Sequence, residues 1–80
     1  MPRYFFHTRN GTQDIDRCGH ELPDREAARR EAVRYSGALL RDDPDLMVRD
    51  DELRITVTDE DGALSCAIII LAVDGNLQKS

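Results

Sequence analysis

The chain has 80 residues, of which 40% are hydrophobic and 34% are charged, and its formal net charge is −5. This length allows one domain and not two, and the hydrophobic content excludes a disordered chain. The negative charge argues against a general binder of nucleic acid or of an anionic membrane, because both need a basic surface. We therefore expect no nucleic-acid partner and no membrane partner.

The first part of the chain predicts a β-hairpin. Residues 3–9 are rich in aromatic and β-favouring side chains, which indicates a strand. Asn10-Gly11 follows, and this pair favours a tight two-residue turn because both central positions of such a turn need a positive φ. Residues 12–16 would then form a short polar return strand at the edge of a sheet, followed by a loop over residues 17–21.

A helix is the clearest predicted element. Asp24 is the expected N-cap, and Asp42-Asp43-Pro44 ends the helix because the residue before a proline disfavours helical geometry. Residues 44–52 are predicted to form an acidic loop. The apolar stripe of the helix repeats at spacings of three and four residues, and its members are Ala28, Ala32, Tyr35 and Leu39, widened by Val33 and Leu40.

The last part of the chain predicts two further strands. Leu53, Ile55 and Val57 alternate with polar residues, which is typical of a half-buried strand. Asp61-Gly62 favours a second hairpin turn, and the final strand runs from Ala63 to about residue 71. That strand is apolar on both faces, which is typical of a central strand. We therefore expect the first and last strands to be central; a final strand at a free edge is the alternative.

The predicted fold class is α+β, a two-layer antiparallel β-sheet of order β-β-α-β-β with one helix packed on one face. Residues 1–73 form the single domain, and residues 74–80 are expected to form a flexible C-terminal tail. One helix can cover only one face of such a sheet. The other face would present Ile69 and Leu71 of the final strand with Phe5 and His7 of the first strand, and these four are the candidate interaction residues.

Two cysteines do not make a disulfide framework, and the first residues contain no apolar segment typical of a signal peptide. The prediction is a cytoplasmic protein with reduced thiols. Cys18-x-His20 has a spacing that could ligate zinc, but zinc sites combine two paired sets of ligands, and the second pair would come from two different predicted strands, so we expect no metal and no cofactor. The possible soft ligands are His7, Cys18, His20 and Cys66.

Two further features have a structural and a functional interpretation. His7 could act as a general base with nearby carboxylates, but a half-buried structural histidine is the favoured interpretation. A stripe of Arg30, Arg34 and Arg41 could touch phosphate, although such a stripe is usually a solvated helix face. The acids of residues 42–61 lack the ligand spacing of a calcium loop.

Three segments resemble a family of small bacterial proteins classed as a domain of unknown function. They are the opening Pro2-Arg3-Tyr4-Phe5-Phe6-His7, the central Asp16-x-x-Gly19-x-Glu21-Leu22-Pro23-Asp24, and Asp59-Glu60-Asp61-Gly62. The resemblance extends from residue 2 to about residue 70 and implies no particular activity. The final strand is more continuously apolar than this family resemblance implies. A weaker likeness, at the level of fold alone, is to the antitoxin half of small toxin–antitoxin pairs.

The functional prediction is a non-enzymatic interaction or regulatory module that self-associates through the uncovered sheet face or binds a small protein partner. The alternatives are a small enzyme or ligand-binding domain that uses His7, and an antitoxin-like regulator. An enzyme would hold His7 in a cleft beside Asp14, Asp16 or Glu21.

The scattered ligand spacing gives a first testable prediction. Thiol titration of freshly purified protein should find two reactive thiols per unfolded chain, and elemental analysis should find no stoichiometric zinc. One zinc per chain would contradict the interpretation of these residues as structural.

Overall fold

An antiparallel sheet forms one layer of the protein and a long helix forms the other. The computed structural model describes residues 1–75. The α+β class and the predicted order of the main elements are confirmed. The strands are β1 (Arg3–Asn10), β2 (Thr12–Asp14), β3 (His20–Glu21), β4 (Glu52–Thr58) and β5 (Leu64–Leu71), and the helices are α1 (Arg25–Asp42) and α2 (Leu46–Arg49).

The strands follow the order β2-β1-β4-β5, with β3 paired to a second stretch of β1. β1 and β4 are therefore the central strands, as predicted for β1. The prediction that the final strand is central is wrong, because β5 pairs only with β4 within residues 1–75. The apolar side chains on the outer face of β5 are exposed and not covered by another layer. A strand that is apolar on both faces therefore does not occupy a central position here.

The core lies between the sheet and α1. Three side chains of β4, Leu53, Ile55 and Val57, have no exposed surface, and they face a helix surface built from small residues. Ala28 and Ala32 are fully buried there, so the helix backbone approaches the sheet closely. Asp24 begins the helix as predicted, since its carboxylate accepts a hydrogen bond from the Ala27 N–H at 2.8 Å.

The buried stripe of α1 differs from the predicted one. Ser36 is buried, with 3% of its surface exposed, whereas Tyr35 is 37% and Val33 is 54% exposed. A serine can occupy this position because its hydroxyl donates to the Val33 carbonyl at 2.9 Å and so carries no unpaired donor into the core. The helix is therefore rotated away from the orientation that apolar residues alone predict.

The acidic segment after α1 is more ordered than the predicted loop. It contains α2, whose Leu46 is buried. Asp43 accepts a hydrogen bond from Arg49 at 2.6 Å, and this contact holds the pKa of Asp43 below its ordinary value. Residues 72–75 follow β5 without regular structure, and residues 76–80 of the predicted tail lie outside the described residues.

Candidate functional site

The face of the sheet opposite α1 is the surface that the sequence singles out, and we call it the uncovered face. Its members alternate along each strand with the buried core residues, and the strand register arranges them in rows. They are Phe5, His7 and Arg9 on β1, Glu52, Arg54, Thr56 and Thr58 on β4, and Ala67, Ile69 and Leu71 on β5.

The large exposed apolar side chains of this face lie on β5. Ile69 is 51% and Leu71 is 62% exposed, and Ile69 stands beside Arg54, whose guanidinium is held by Glu52 at 2.9 Å. Phe5 and His7 lie on β1, two strands away, which corresponds to about 10 Å. The structure thus places all four candidate residues on one face, but a row of β4 side chains separates the two pairs.

The two ring nitrogens of His7 are both engaged. Nδ1 accepts the Asp16 backbone N–H at 3.2 Å, so the ring proton is on Nε2, which donates to Thr58 Oγ1 at 3.0 Å. The ring therefore links the loop after β2 to β4 across β1. No lone pair is left for a substrate proton in this arrangement, which fits a structural histidine.

Asp16 bridges a gap in the sheet between β2 and β3. Its carboxylate accepts hydrogen bonds from three backbone N–H groups, those of Phe6, Cys18 and Gly19, at 3.0–3.1 Å. Burial raises the pKa of Asp16, but these three donors, with the charge of His20, lower it by more, so the net pKa lies below its ordinary value. The carboxylate thus replaces strand pairing where the edge of β1 would otherwise be open.

Gly19 is required by the same turn. Its φ is +72°, and a Cβ built on it would lie 2.8 Å from the Tyr4 carbonyl oxygen and 2.9 Å from a ring carbon of Phe5. Neither the backbone conformation nor the space admits a side chain. An aspartate three residues before a turn glycine was the available sequence signal for this arrangement, because aspartate commonly accepts bonds from nearby backbone N–H groups.

Further residues on which the family resemblance was based make contacts within the fold. Arg3 and Glu21 form an ion pair at 3.3 Å. The Leu22 N–H donates to the Pro2 carbonyl at 3.0 Å, and the Leu22 side chain packs against the core. The central motif therefore ties the start of β1 to the beginning of α1.

A groove lies on the other side of the sheet, between α1 and the segment from Asp14 to His20. It encloses about 490 Å³ and is lined in part by Phe6, Ile15 and Tyr35. Asp16 and His20 supply polar atoms, and the His20 ring stands edge-on to Phe6 with 5.8 Å between the ring centroids. Sequence reasoning missed this groove because it depends on where α1 crosses the sheet.

The possible metal ligands do not converge. Cys18 is exposed in a loop, whereas Cys66 is half-buried on β5 against the core. Within residues 1–75, no group of three or more His, Cys, Asp or Glu side chains is arranged to hold a metal ion. None of the helices in that range combines the length and the apolar character needed to cross a bilayer.

The arginine stripe of α1 is paired with acids of the same helix. Arg30 lies 3.7 Å from Glu26, Arg34 lies 2.5 Å from Glu31, and Arg41 lies 3.2 Å from Asp42. These arginines are exposed, so each pair adds little to stability.

The fold and these surfaces define a small two-layer α+β domain with an antiparallel sheet. Residues 3–71 match the family described as a domain of unknown function, DUF6894. The chain belongs to this family, which confirms the predicted membership of a domain of unknown function. Searches among curated proteins and among solved structures gave no match.

The close approach at Gly19 gives a prediction with a matched control. Gly19→Ala should destabilise the domain by about 2–4 kcal/mol, because it adds a steric clash to the cost of a positive φ. Gly62→Ala should cost only about 1–2 kcal/mol, since Gly62 has a φ of +82° but open space around its Cα. Urea unfolding measures both variants; equal losses would show that the contact with Tyr4 carries no energy.

The hydrogen bonds of Asp16 predict a pH dependence. Because the folded-state pKa of Asp16 is lowered, its ionised carboxylate stabilises the fold fully at pH values above the unfolded-state pKa, near 4. This stabilisation is lost as the pH falls through the folded-state pKa. Asp16→Asn should therefore cost about 1–2 kcal/mol at pH 7, after allowance for solvent screening, and much less at pH 2–3.

The control for this measurement is Asp14→Asn, which changes the same charge at an exposed position on β2. It should leave urea unfolding nearly unchanged at both pH values. A loss for Asp16→Asn that stayed the same at pH 2–3 would contradict a role of the ionised carboxylate.

Proposed function

We propose that this protein is a non-enzymatic interaction module that self-associates through the uncovered face. The observation that carries the proposal is the exposure of Ile69 and Leu71, at 51% and 62%, beside each other on one strand of that face. Contiguous exposed apolar side chains on a small domain mark interaction surfaces.

The energetics support association. Removing an isoleucine or leucine side chain fully from water contributes about 1.5–3 kcal/mol, so covering one that is already half-buried contributes about half of that. A symmetric dimer uses each residue twice. Four such side chains in a dimer would contribute about 3–6 kcal/mol before the cost of association is subtracted.

The absence of enzymatic activity is part of the proposal. It is supported by the state of His7, whose ring nitrogens are both used within the fold. Asp14 and Asp16 line the groove on the α1 side of the sheet, whereas His7 belongs to the uncovered face. This separation of the carboxylate groups from the imidazole supports the proposal, although the Asp16 backbone N–H does contact the ring.

A second candidate function is the binding of a small ligand in the groove beside α1. Its volume of about 490 Å³ falls within the range of ligand pockets in proteins. Its polar groups include Asp16, whose carboxylate is already occupied by backbone donors. This candidate does not involve His7, and it predicts no change in oligomeric state.

Light scattering on the purified chain tests the leading proposal. At tens of micromolar, the mass should be near twice 9.1 kDa. Ile69→Lys and Leu71→Lys should each give monomers, because association would bring two new charges together in an apolar contact.

The matched control is Val33→Lys, which places the same charge on an equally exposed valine of α1, 54% exposed and in the other layer. This variant should remain a dimer. A wild-type monomer throughout this concentration range would overturn the proposal, and so would dissociation by Val33→Lys as readily as by Ile69→Lys.

A further inference from the structure

The outer edge of β5 differs from the opposite edge of the same sheet. β2 and β3, at the opposite edge, have three and two residues and are exposed and polar or charged throughout. β5 has eight residues, and no residue from Gly62 to Val73 carries a charge. Proteins protect their sheet edges by short strands and charged side chains, and β5 has neither protection.

The backbone groups that point outward from β5 can be assigned. The Ala72 N–H donates to the Asp51 carbonyl at 2.8 Å, so the polar groups of Ala72 face β4. Successive residues of a strand direct these groups alternately to the two sides. The backbone N–H and carbonyl groups of Ile70, Ile68 and Cys66 therefore also point toward β4. Ala67, Ile69 and Leu71 direct their N–H and carbonyl groups away from the sheet.

We infer that two copies of the chain join through these edges, with β5 of one copy antiparallel to β5 of the other in one continuous sheet. The inference rests on the proposed self-association but replaces stacking of the uncovered faces by pairing of the β5 edges, which places the two faces side by side. A two-fold axis at Ile69 pairs Ile69 with its own copy and Ala67 with Leu71 of the second copy. This register uses all three outward residues and forms about six hydrogen bonds between the copies.

A second copy fits this edge better than a strand of another protein for two reasons. In the antiparallel register about Ile69, the small Ala67 of one copy lies beside the large Leu71 of the other, so the side chains of the two edges fit together. The chain as a whole carries a charge of −5, but the edge is uncharged, so two copies meet where their repulsion is weakest. The two uncovered faces become continuous, and their exposed apolar side chains form one strip across the axis.

Substitution of Ala67 separates edge pairing from stacking of the uncovered faces. Ala67→Pro removes the outward N–H without removing a bond to β4, and proline is tolerated on edge strands in this orientation. The matched control is Ala67→Val, which adds a similar bulk to the uncovered face but keeps the N–H. Sedimentation should find a dimer dissociation constant raised at least tenfold by Ala67→Pro and changed less than about threefold by Ala67→Val.

Hydrogen exchange of the wild-type chain provides a second measurement that depends on no variant. The amides of Ala67, Ile69 and Leu71 should exchange at least about tenfold more slowly at high than at low protein concentration. Circular dichroism checks that Ala67→Pro retains the fold; if it unfolds, the exchange measurement alone decides.

The possible outcomes separate the two proposals. A wild-type dimer whose three outward amides exchange equally fast at all concentrations would overturn edge pairing and leave self-association through stacked faces intact. Unchanged dimerisation of a folded Ala67→Pro would do the same. A wild-type chain that stays monomeric at every concentration would overturn both proposals. This holds even if the β5 edge then proves to bind a strand of another protein.

Discussion

The sheet carries apolar side chains on both of its faces, and one long helix can cover only one of them. α1 meets this constraint with its fully buried alanines, which bring its axis close to β4 and leave no exposed surface on Leu53 or Ile55. A single helix covers only part of the sheet. The groove beside Tyr35 remains on one flank, and the opposite face of the sheet has no covering layer within residues 1–75.

The two edges of the sheet differ in how their backbone groups are satisfied, and among the described residues β5 is the edge more accessible to another strand. At the β1 edge, a carboxylate, a histidine ring and a turn glycine close the gap between two very short strands. The Asp16 carboxylate accepts the Phe6 N–H that would otherwise be open to another chain, the His7 ring accepts the Asp16 N–H, and Gly19 allows the turn to approach β1 closely. At the β5 edge no comparable device exists among the described residues, and the strand is both longer and uncharged.

Much of the architecture could be predicted from the sequence because it depends on local patterns. The helix begins at the expected aspartate, and the period-2 alternation around Ile55 identified a strand with one buried face. The two-residue β3 could not be predicted, since it exists only through its pairing with Arg3 and Tyr4. The position of β5 could not be predicted either, because an apolar strand is equally compatible with a central place and with an exposed edge.

The candidate residues show the same division between local and non-local information. Alternation was enough to place Phe5, His7, Ile69 and Leu71 on one face, but not to show that β4 separates them into two pairs. The role of Asp16 depends on a strand ten residues earlier in the chain. The exposure of Tyr35 depends on the rotation of α1, which Ser36 permits by satisfying its own hydroxyl.

The pairing of β1 with β4 has a consequence for how the chain folds. Phe6 and Val57 face each other across the two central strands, although about fifty residues separate them along the chain. Closing such a loop costs entropy before the contact returns any stabilisation, and proteins dominated by distant pairings fold slowly. During synthesis β1 can pair early with β2 and β3, whereas its pairing with β4 requires residues 52–58, which are made much later.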